Sequence, residues 1–247
     1  MKIISEAFWS CGKKMSNQDS LLLEQALTSK GRMVLAVVSD GIGSLAQGEV
    51  ASGYIVERLS ENFYESLIPL TAKGKGKGVL KRSLLRCFWD MNQELIQYAS
   101  AKNIRLGATV SLLMIWKRRY LILHLGDSRI YLCSRGRLRQ LTPDHVRNFR
   151  HNDGSTDRCI QGVTKCMGSF PFQFPDIRFG RLWGKKGFLL CTDGYFRTLN
   201  KTAAAGIFAP EDITSQEQIR RRLKEMGTAA VKKGEKDNLS ALYVWAG

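Results

Sequence analysis

The sequence lacks the long apolar runs that a membrane helix requires. Its uninterrupted apolar stretches fall far short of the roughly 18 to 20 residues that cross a bilayer. The N-terminal segment, Met1 to Trp9, carries Glu6 among few apolar side chains. We therefore expect neither a membrane span nor a signal peptide.

Paired cysteines and clustered histidines are missing as well. The six cysteines include no Cys-x-x-Cys pair, and several lie inside apolar strand-like runs, where a thiol behaves as a small hydrophobic group. The three histidines, His124, His145 and His151, form no tight cluster with cysteines, so a structural zinc site has little support. This pattern favours a reducing, cytoplasmic location.

Acidic residues are few compared with basic ones. The chain has 38 Lys and Arg against 22 Asp and Glu, a formal net charge of +16, which attracts polyanions, acidic proteins or anionic lipid. The basic residues occur in short groups such as Lys117 to Arg119, without the aromatic-rich signature of RNA-binding proteins. We expect a solvated basic surface and no specific nucleic-acid partner. Nucleic-acid binding, the alternative, would show a steep salt dependence.

The apolar pattern of the first half of the chain predicts a buried strand followed by two helices. With 247 residues and 44% hydrophobic content, we expect a single domain over residues 1–247. The continuous apolar run from Met33 to Ser39 predicts a buried strand that ends at Asp40-Gly41. Apolar residues at helical spacing predict helices over residues 49–67 and 80–98, joined by a flexible, charged connector at residues 73–78.

The second half is rich in short apolar runs. The runs at 108–116, 120–125, 129–133 and 137–141 predict an antiparallel meander. Residues 146–187 contain several Gly, Pro and polar residues, which predicts irregular structure. A strand at 188–192 ending in Asp193-Gly194, a helix at 216–232 and a last strand at 239–245 complete the prediction.

Aspartates stand where the apolar runs begin or end. Each is next to glycine, asparagine, glutamine or serine, and they are Asp19, Asp40, Asp127, Asp193 and Asp237. One Asp-Gly alone indicates a plain turn, but five such positions favour a site for a hard divalent cation, which prefers oxygen ligands. Two metal ions can share a hydroxide nucleophile and stabilise an in-line displacement at phosphorus. The pattern therefore points to phosphate-ester hydrolysis.

The segment from Asp40 to Glu49, Asp-Gly-Ile-Gly-Ser-Leu-Ala-Gln-Gly-Glu, resembles the Asp-Gly-Met-Gly-Gly…Gly-Glu motif of the metal-dependent type 2C protein phosphatases. The family's other signatures follow in family order, at Asn17-Gln-Asp19, Gly107-Ala-Thr109, Gly126-Asp-Ser-Arg129, Leu141-Thr-Pro-Asp-His145, Cys191-Thr-Asp-Gly194 and Asp237-Asn238. The resemblance spans residues 19–245 and is to compact bacterial members. It implies an α+β fold, a four-layer α-β-β-α sandwich of two antiparallel sheets flanked by helices, with metals in a channel at one end.

The resemblance also implies a set of roles. Catalytic Asp40 bridges two Mn²⁺ or Mg²⁺ ions, the Gly41 carbonyl binds one ion, and catalytic Asp193 and Asp237 hold the other. A third, weaker metal site would use Asp127 with Asp193. Asp19 belongs to the family's acidic pair, one member of which binds metal through water, although Gln18 replaces the other acidic residue. Asn238 would orient Asp237 or a bound water.

Two departures from the family pattern bear on the binding of the substrate phosphate and on protonation of the leaving group. Lys14 stands where many relatives have an arginine that grips the substrate phosphate, so the charge is kept but the bidentate fork is lost; Lys13 is a neighbouring candidate. Ile42 replaces the histidine that eukaryotic members have as a proposed general acid. Either water then protonates the leaving group, or the step depends more on the metal ions. Asp144 and His145 are interpreted as structural. The segment Thr164-Lys-Cys-Met-Gly168 resembles the one that closes the mobile flap of the family, which implies that residues 147–163 form this flap. Flaps of this kind tune substrate choice.

The function that the resemblance implies is a cytoplasmic, monomeric protein phosphatase for phosphoserine and phosphothreonine that reverses a serine/threonine kinase. The alternative is a pseudophosphatase, a phosphoprotein-binding module with little or no catalysis. Loss of Asp40, Asp193 or Asp237 would have favoured that alternative, and all three are present.

Overall fold

A computed structural model describes residues 1–42, 45, 47–152 and 157–247, and of residues 150–152 and 157–161 the backbone alone. Its strands form two five-stranded antiparallel sheets and a separate hairpin. The strands are β1 (Ile3–Ser10), β2 (Asp19–Thr28), β3 (Gly31–Asp40), β4 (Val110–Trp116), β5 (Arg119–Leu125), β6 (Arg129–Ser134), β7 (Arg137–Gln140), β8 (Val146–Asn152), β9 (Asp157–Val163), β10 (Asp176–Arg181), β11 (Lys186–Cys191) and β12 (Leu239–Ala246).

The first sheet has the strand order β10-β5-β4-β3-β2, and the second has the order β1-β12-β11-β6-β7. In the first sheet Asp19 pairs with Asp40, and in the second Cys191 pairs with Ala241. The sheets pack face to face through apolar side chains such as Val38 from β3 and Leu242 from β12. This arrangement places the ends of strands from both sheets at each end of the molecule.

Helices cover the outer face of each sheet. They are α1 (Gly48–Asn62), α2 (Ile68–Ala72), α3 (Lys77–Lys102), α4 (Asp193–Phe196), α5 (Lys201–Ile207) and α6 (Gln216–Lys232), with a π-helical segment (Phe63–Leu67) between α1 and α2. The first three helices pack on the first sheet, and the last three pack on the second. The π-helical segment directly precedes α2, whose second residue is Pro69. Proline has no backbone N–H, so one helical hydrogen bond is missing there.

These layers confirm the predicted α+β sandwich of two antiparallel sheets flanked by helices. The helix predicted at 216–232 is confirmed with the same bounds. The helices predicted at 49–67 and 80–98 are confirmed and are longer, because the first continues through Ala72 and the second begins at Lys77. None of the described helices combines the length and the apolar character that crossing a bilayer requires.

Two predictions for the second half of the chain are wrong. The runs at 108–141 do not form one meander, because β5 pairs with β10 in the first sheet while β6 pairs with β11 in the second. The chain changes sheets at Gly126, which has a φ of 106°. Residues 146–187 are not irregular throughout, since their described part contains the hairpin of β8 and β9 and the edge strand β10. Of the predicted flap, residues 153–156 lie outside the described residues.

The antiparallel pairing gathers the aspartates at one end of the sandwich. Asp40 ends β3, and Asp193 and Asp127 follow the ends of β11 and β5. Asp237 lies just before β12, which is antiparallel to β11. The positions that look unrelated along the sequence therefore share one edge of the fold.

Candidate active site

A cavity of about 420 Å³ opens between the two sheets at this end of the molecule. Its lining is dominated by polar groups and includes carboxylates, cations and the predicted Gly41 position. The residues are Lys14, Asp40, Gly41, Ile42, Thr109, Asp127, Arg129, Asp144, Val146, Gly162, Val163, Asp193, Phe196, Arg197 and Asp237. We call this space the acidic cavity. Strands of both sheets and the start of α4 thus contribute to one site.

Backbone hydrogen bonds hold Asp40 at the end of β3. Its amide donates to Thr109 Oγ1 at 3.0 Å, and its carbonyl accepts from the Thr109 amide at 2.8 Å. Thr109 Oγ1 is also 2.7 Å from Ser128 Oγ, next to Asp127. The Gly107-Ala-Thr109 and Gly126-Asp-Ser-Arg129 segments therefore fix the direction in which β3 delivers its terminal carboxylate.

Glycine is required beside Asp40 because the backbones approach closely there. A Cβ added at Gly41 would lie 2.4 Å from the carbonyl carbon of Gly48. The same holds beside Asp193, since a Cβ at Gly194 would lie 2.2 Å from the Asn238 carbonyl oxygen. The second contact brings the loops of Asp193 and Asp237 together.

Asn238 supports the loop that carries Asp237. Its side-chain amide donates to the carbonyls of Cys11 and Ser16 at 3.0 and 2.9 Å, and its Oδ1 accepts from the Gln18 amide at 3.0 Å. The Asn238 amide donates to Asp237 Oδ1 at 2.8 Å. Asn238 thus ties the loop after β1 to the loop before β12, and its backbone amide contacts the Asp237 carboxylate. A role in orienting Asp237 or a bound water stays a prediction.

Mutual repulsion is strong among the buried carboxylates. Burial raises the pKa of Asp40 well above its ordinary value, and the nearby charges of Asp19 and Asp193 add to this effect. Burial, followed by the charge of Asp193, raises the pKa of Asp127 to about 6. Burial also raises the pKa of Asp193, although Arg197 opposes the shift. These groups resist sharing one cavity as anions, so a cation placed among them would be strongly favoured.

Lys14 lies in the acidic cavity and forms an ion pair with Asp237. Burial alone would raise the pKa of Asp237, but hydrogen bonds from Lys14 and the Asn238 amide outweigh it, and the pKa is lowered. Burial alone would lower the pKa of Lys14, but the hydrogen bond to Asp237 outweighs it, and the pKa is raised. The predicted phosphate-binding lysine is therefore at the site.

Arg197 is a cavity residue that sequence reasoning missed. Its guanidinium forms an ion pair with Asp193 and lies 3.1 Å from Asp237 Oδ2 and 3.5 Å from Glu235 Oε1. The signal was present, because Arg197 follows Asp193 by four residues in a segment that begins a helix, and residues at that spacing share one face. Arg129 and Asp144 also line the cavity, but they are paired with each other. The remaining lining consists of four carboxylates that face two cations, and these are Asp40, Asp127, Asp193 and Asp237 with Lys14 and Arg197.

Asp19 lies behind the cavity rather than on its lining. It is 2% exposed, and its Oδ2 accepts a hydrogen bond from Thr192 Oγ1 at 2.9 Å. Burial raises its pKa to about 6, with the charges of Asp193 and Asp237 adding to the shift and hydrogen bonds from Ser240 and Thr192 opposing it. A role for Asp19 through a water molecule stays a prediction.

Asp144 and His145 make structural contacts. Arg129 donates to both carboxylate oxygens of Asp144, at 2.9 and 2.5 Å, and stacks its guanidinium 3.6 Å from the centre of the Phe196 ring. His145 Nδ1 accepts from the Gly126 amide at 3.1 Å. These contacts brace the turn that carries Asp127. No histidine lines the described part of the cavity, and Ile42 does.

The donor set fits a hard divalent cation, because carboxylate oxygens and a glycine carbonyl are its preferred ligands. Within the described part of the chain, however, no three acidic, histidine or cysteine side chains converge closely enough to form a complete metal cage. Lys14 and Arg197 form ion pairs with Asp237 and Asp193. Metal uptake would require these ion pairs to open.

The sequence profile of the protein phosphatase 2C family matches residues 11–240. The chain belongs to this family. The matched range includes Lys14, the aspartates of the acidic cavity and Asn238. Every residue of the cavity lining therefore falls within the protein phosphatase 2C region.

Relatives of known sequence and structure agree with this assignment. The chain is similar to the serine/threonine phosphatase Stp of Listeria monocytogenes serovar 1/2a, with 31% identity over 119 residues, 47% of this chain and 45% of that protein. The match thus spans less than half the length of this curated relative.

The fold is similar to that of the S. agalactiae serine/threonine phosphatase, with a TM-score of 0.80, 19% identity and coverage of 98% of this chain and 99% of that chain. It is also similar to the catalytic domain of the serine/threonine protein phosphatase PstP in complex with two manganese ions. For PstP the TM-score is 0.73, the identity is 21%, and coverage is 98% of this chain and 97% of that chain. These likenesses support the protein phosphatase 2C fold.

Proposed function

We propose that this chain is a metal-dependent phosphatase that hydrolyses phosphoserine and phosphothreonine in proteins. The observation that carries the proposal is the acidic cavity, in which four aspartates from both sheets meet Lys14. Metal-dependent hydrolysis of a phosphate ester requires oxygen ligands for the divalent metal ions. It also requires a positive group, here Lys14, that can bind the substrate phosphate. The substrates would be phosphoproteins made by a serine/threonine kinase of the cytoplasm.

Asp40, Asp193, Asp237 and the Gly41 carbonyl would hold two Mn²⁺ or Mg²⁺ ions. When bound, these ions would supply Lewis acidity and lower the pKa of an attacking water. PstP, the structural neighbour with two manganese ions, supports this number of ions. The protein's own residues set the site, because Asn238 would orient Asp237 and Thr109 fixes the end of β3.

A third ion at Asp127 and Asp193 is less well supported than the first two. Arg197 already forms an ion pair with Asp193, and its charge opposes the rise in the pKa of Asp127 that burial causes. A divalent ion at that position would have to displace or accommodate the guanidinium. We therefore propose two ions as the working complement of the enzyme.

Lys14 would bind the substrate phosphate once metal ions take over Asp237. Its ammonium is a point charge on a flexible stem, so it would attract the phosphate without the fork geometry of arginine. With Ile42 at the position of a histidine in other members, water would protonate the leaving alcohol.

The experiment that tests this function measures hydrolysis of para-nitrophenyl phosphate and of a phosphothreonine peptide by the purified protein. Reactions contain Mn²⁺, Mg²⁺ or EDTA, and Asp40→Ala is assayed in parallel. Metal-dependent turnover that disappears in EDTA and in the variant would support the phosphatase. Folded, metal-loaded protein without turnover on either substrate would contradict it and favour the phosphoprotein-binding alternative.

A further inference from the structure

The positive charge of the chain is concentrated at the end of the sandwich opposite the acidic cavity. Five connections meet there, and together they contain thirteen Lys and Arg and no Asp or Glu. They join β2 to β3 (28–32), α2 to α3 (73–77), β4 to β5 (117–119), β6 to β7 (134–137) and β10 to β11 (181–186). We call these five connections the basic face.

The two sheets and the first helical layer all contribute to the basic face. The connection from β10 to β11 crosses from one sheet to the other, and the Leu182 amide donates to the Arg118 carbonyl at 2.8 Å. Lys77 Nζ lies 5.2 Å from the centre of the Phe179 ring, near the end of β10. Groups that are distant in sequence are therefore brought together by the topology.

The cations of the basic face are available to a partner. All except Lys186 are exposed, and among the described residues none of them takes part in an ion pair. Glu211 and Asp212 flank this end through Pro210, whose carbonyl accepts from Trp245 Nε1. They lie in the helical layer and outside the five connections.

Two features of the basic face are unfavourable for lysine and arginine at the positions where they occur. Arg181 and Arg119 lie directly opposite each other on paired strands, where like charges are destabilising. Lys117, Arg118 and Arg135 have φ values of 44°, 56° and 51°, a left-handed conformation that glycine or asparagine adopts with less strain. Strain retained in this way points to a function of the side chains.

Apolar side chains project among the cations. Trp183 is 68% exposed in the connection from β10 to β11, and Leu27 is 80% exposed beside the connection from β2 to β3. A cavity of about 150 Å³ is lined by Lys117, Arg118, Arg119, Arg181, Leu182 and Trp183. It has room for a phosphate group, since a water molecule occupies about 30 Å³ in the liquid.

We propose that the basic face docks on the surface of a membrane rich in anionic phospholipid. Clustered Lys and Arg are attracted to anionic headgroups, and tryptophan partitions into the headgroup region. The small cavity would take a lipid phosphate. Because the acidic cavity lies at the opposite end, docking leaves it open to phosphoproteins at that surface. This proposal does not depend on catalytic activity.

Vesicle co-sedimentation tests the proposal with the full chain. The vesicles contain phosphatidylcholine alone or with an equal amount of phosphatidylglycerol. The test variant combines Lys117→Asn, Arg118→Gly and Lys185→Gln, and the first two changes relieve the positive φ, so the variant should fold. The control variant combines Arg221→Gln, Lys224→Gln and Lys232→Gln on the outer face of α6, which removes the same net charge elsewhere.

We expect the unmodified chain to sediment with the anionic vesicles only, and less so at high salt. The test variant should bind them roughly 100-fold more weakly, because each cation near such a surface contributes a factor of about five, and the control should stay within about twofold. Equal losses in both variants, or no sedimentation of the unmodified chain, would overturn the proposal. So would a loss confined to heparin or DNA binding, which would assign the face to polyanions. Hydrolysis of para-nitrophenyl phosphate, measured in parallel, should be the same in all three proteins.

Discussion

The two ends of the sandwich carry opposite charges, and they differ in how far those charges are buried and paired. At the acidic cavity the carboxylates are partly or fully buried and are held by backbone hydrogen bonds, as Asp40 is by Thr109. At the basic face the cations are exposed at the tips of turns and have no ionic partner among the described residues. Antiparallel strands carry both sets, because each strand ends at one end and begins at the other.

The difference teaches what burial does to a charge. Buried carboxylates in a shared cavity shift one another's pKa and create a strong demand for a cation. Exposed cations interact weakly one at a time and act through their sum, which salt screens. The acidic cavity is therefore suited to chemistry at defined atoms, and the basic face is suited to attraction towards an extended surface.

The largest effect that we expect comes from Asp40→Asn. Hydrolysis of a phosphothreonine peptide at saturating Mn²⁺ should fall at least about 100-fold, because the proposed metal-binding carboxylate would be lost. The unfolding temperature in EDTA should rise, since a neutral amide removes repulsion from Asp19 and Asp193. The exposed Asp212→Asn should change neither quantity. Retained activity in Asp40→Asn would contradict the proposed role of Asp40 as a metal ligand.

A second effect is a pH dependence of the folding stability at the acidic end. The folded pKa of Asp127 is raised to about 6, so this group binds protons more readily in the folded state than in the unfolded state. Its contribution to stability is present below pH of about 4 and is lost as the pH rises through about 6. His124, whose burial lowers its pKa to about 4, has the opposite slope over the same range.

The measurement is therefore the difference in unfolding free energy between Asp127→Asn and the unmodified chain in EDTA. This difference should shift in favour of the variant by about 1 to 3 kcal/mol from pH 4 to pH 7. A flat difference for Asp127→Asn would show that its carboxylate is not perturbed by the cavity.

A third and smaller effect concerns Arg197, a cation at the acidic end. Arg197→Gln should tighten Mn²⁺ binding by about 3- to 10-fold in calorimetry, because the guanidinium no longer competes for Asp193 and Asp237. It should also lower the stability of the metal-free protein. Arg220→Gln, which removes an ion pair with Glu6 at 3.1 Å away from the site, is the matched control. Weaker Mn²⁺ binding in Arg197→Gln would mean that the arginine supports the metal site.

The sequence predicted those parts of the fold where one local pattern is strong. The strand ending at Asp40 and the helix from Gln216 to Lys232 were found because an apolar run or a helical period is continuous there. Strand β1 was missed, because its burial is mostly partial and Ser5 and Glu6 interrupt the apolar pattern. Strand β10 was missed because an edge strand exposes residues such as Arg178.

The candidate site shows the same limit. Asp-Gly turns marked Asp40 and Asp193, but no local pattern pairs Lys14 with Asp237, which is 223 residues away along the chain and forms an ion pair with it. The basic face was also hidden, since its cations occur in short groups that become neighbours only through strand pairing. Long-range pairing, rather than residue type, was the missing information.

The smallest effect tests how the acidic end holds substrate. Lys14→Arg should lower the KM for a phosphothreonine peptide by about threefold with little change in kcat, because a guanidinium fork binds phosphate in two places. Lys13→Arg is the matched control, since the two lysines are neighbours and only Lys14 lines the acidic cavity. If Lys13→Arg moved the KM and Lys14→Arg did not, Lys13 would be the phosphate-binding residue. The ion pair of Lys14 with Asp237 would then serve the metal-free state alone.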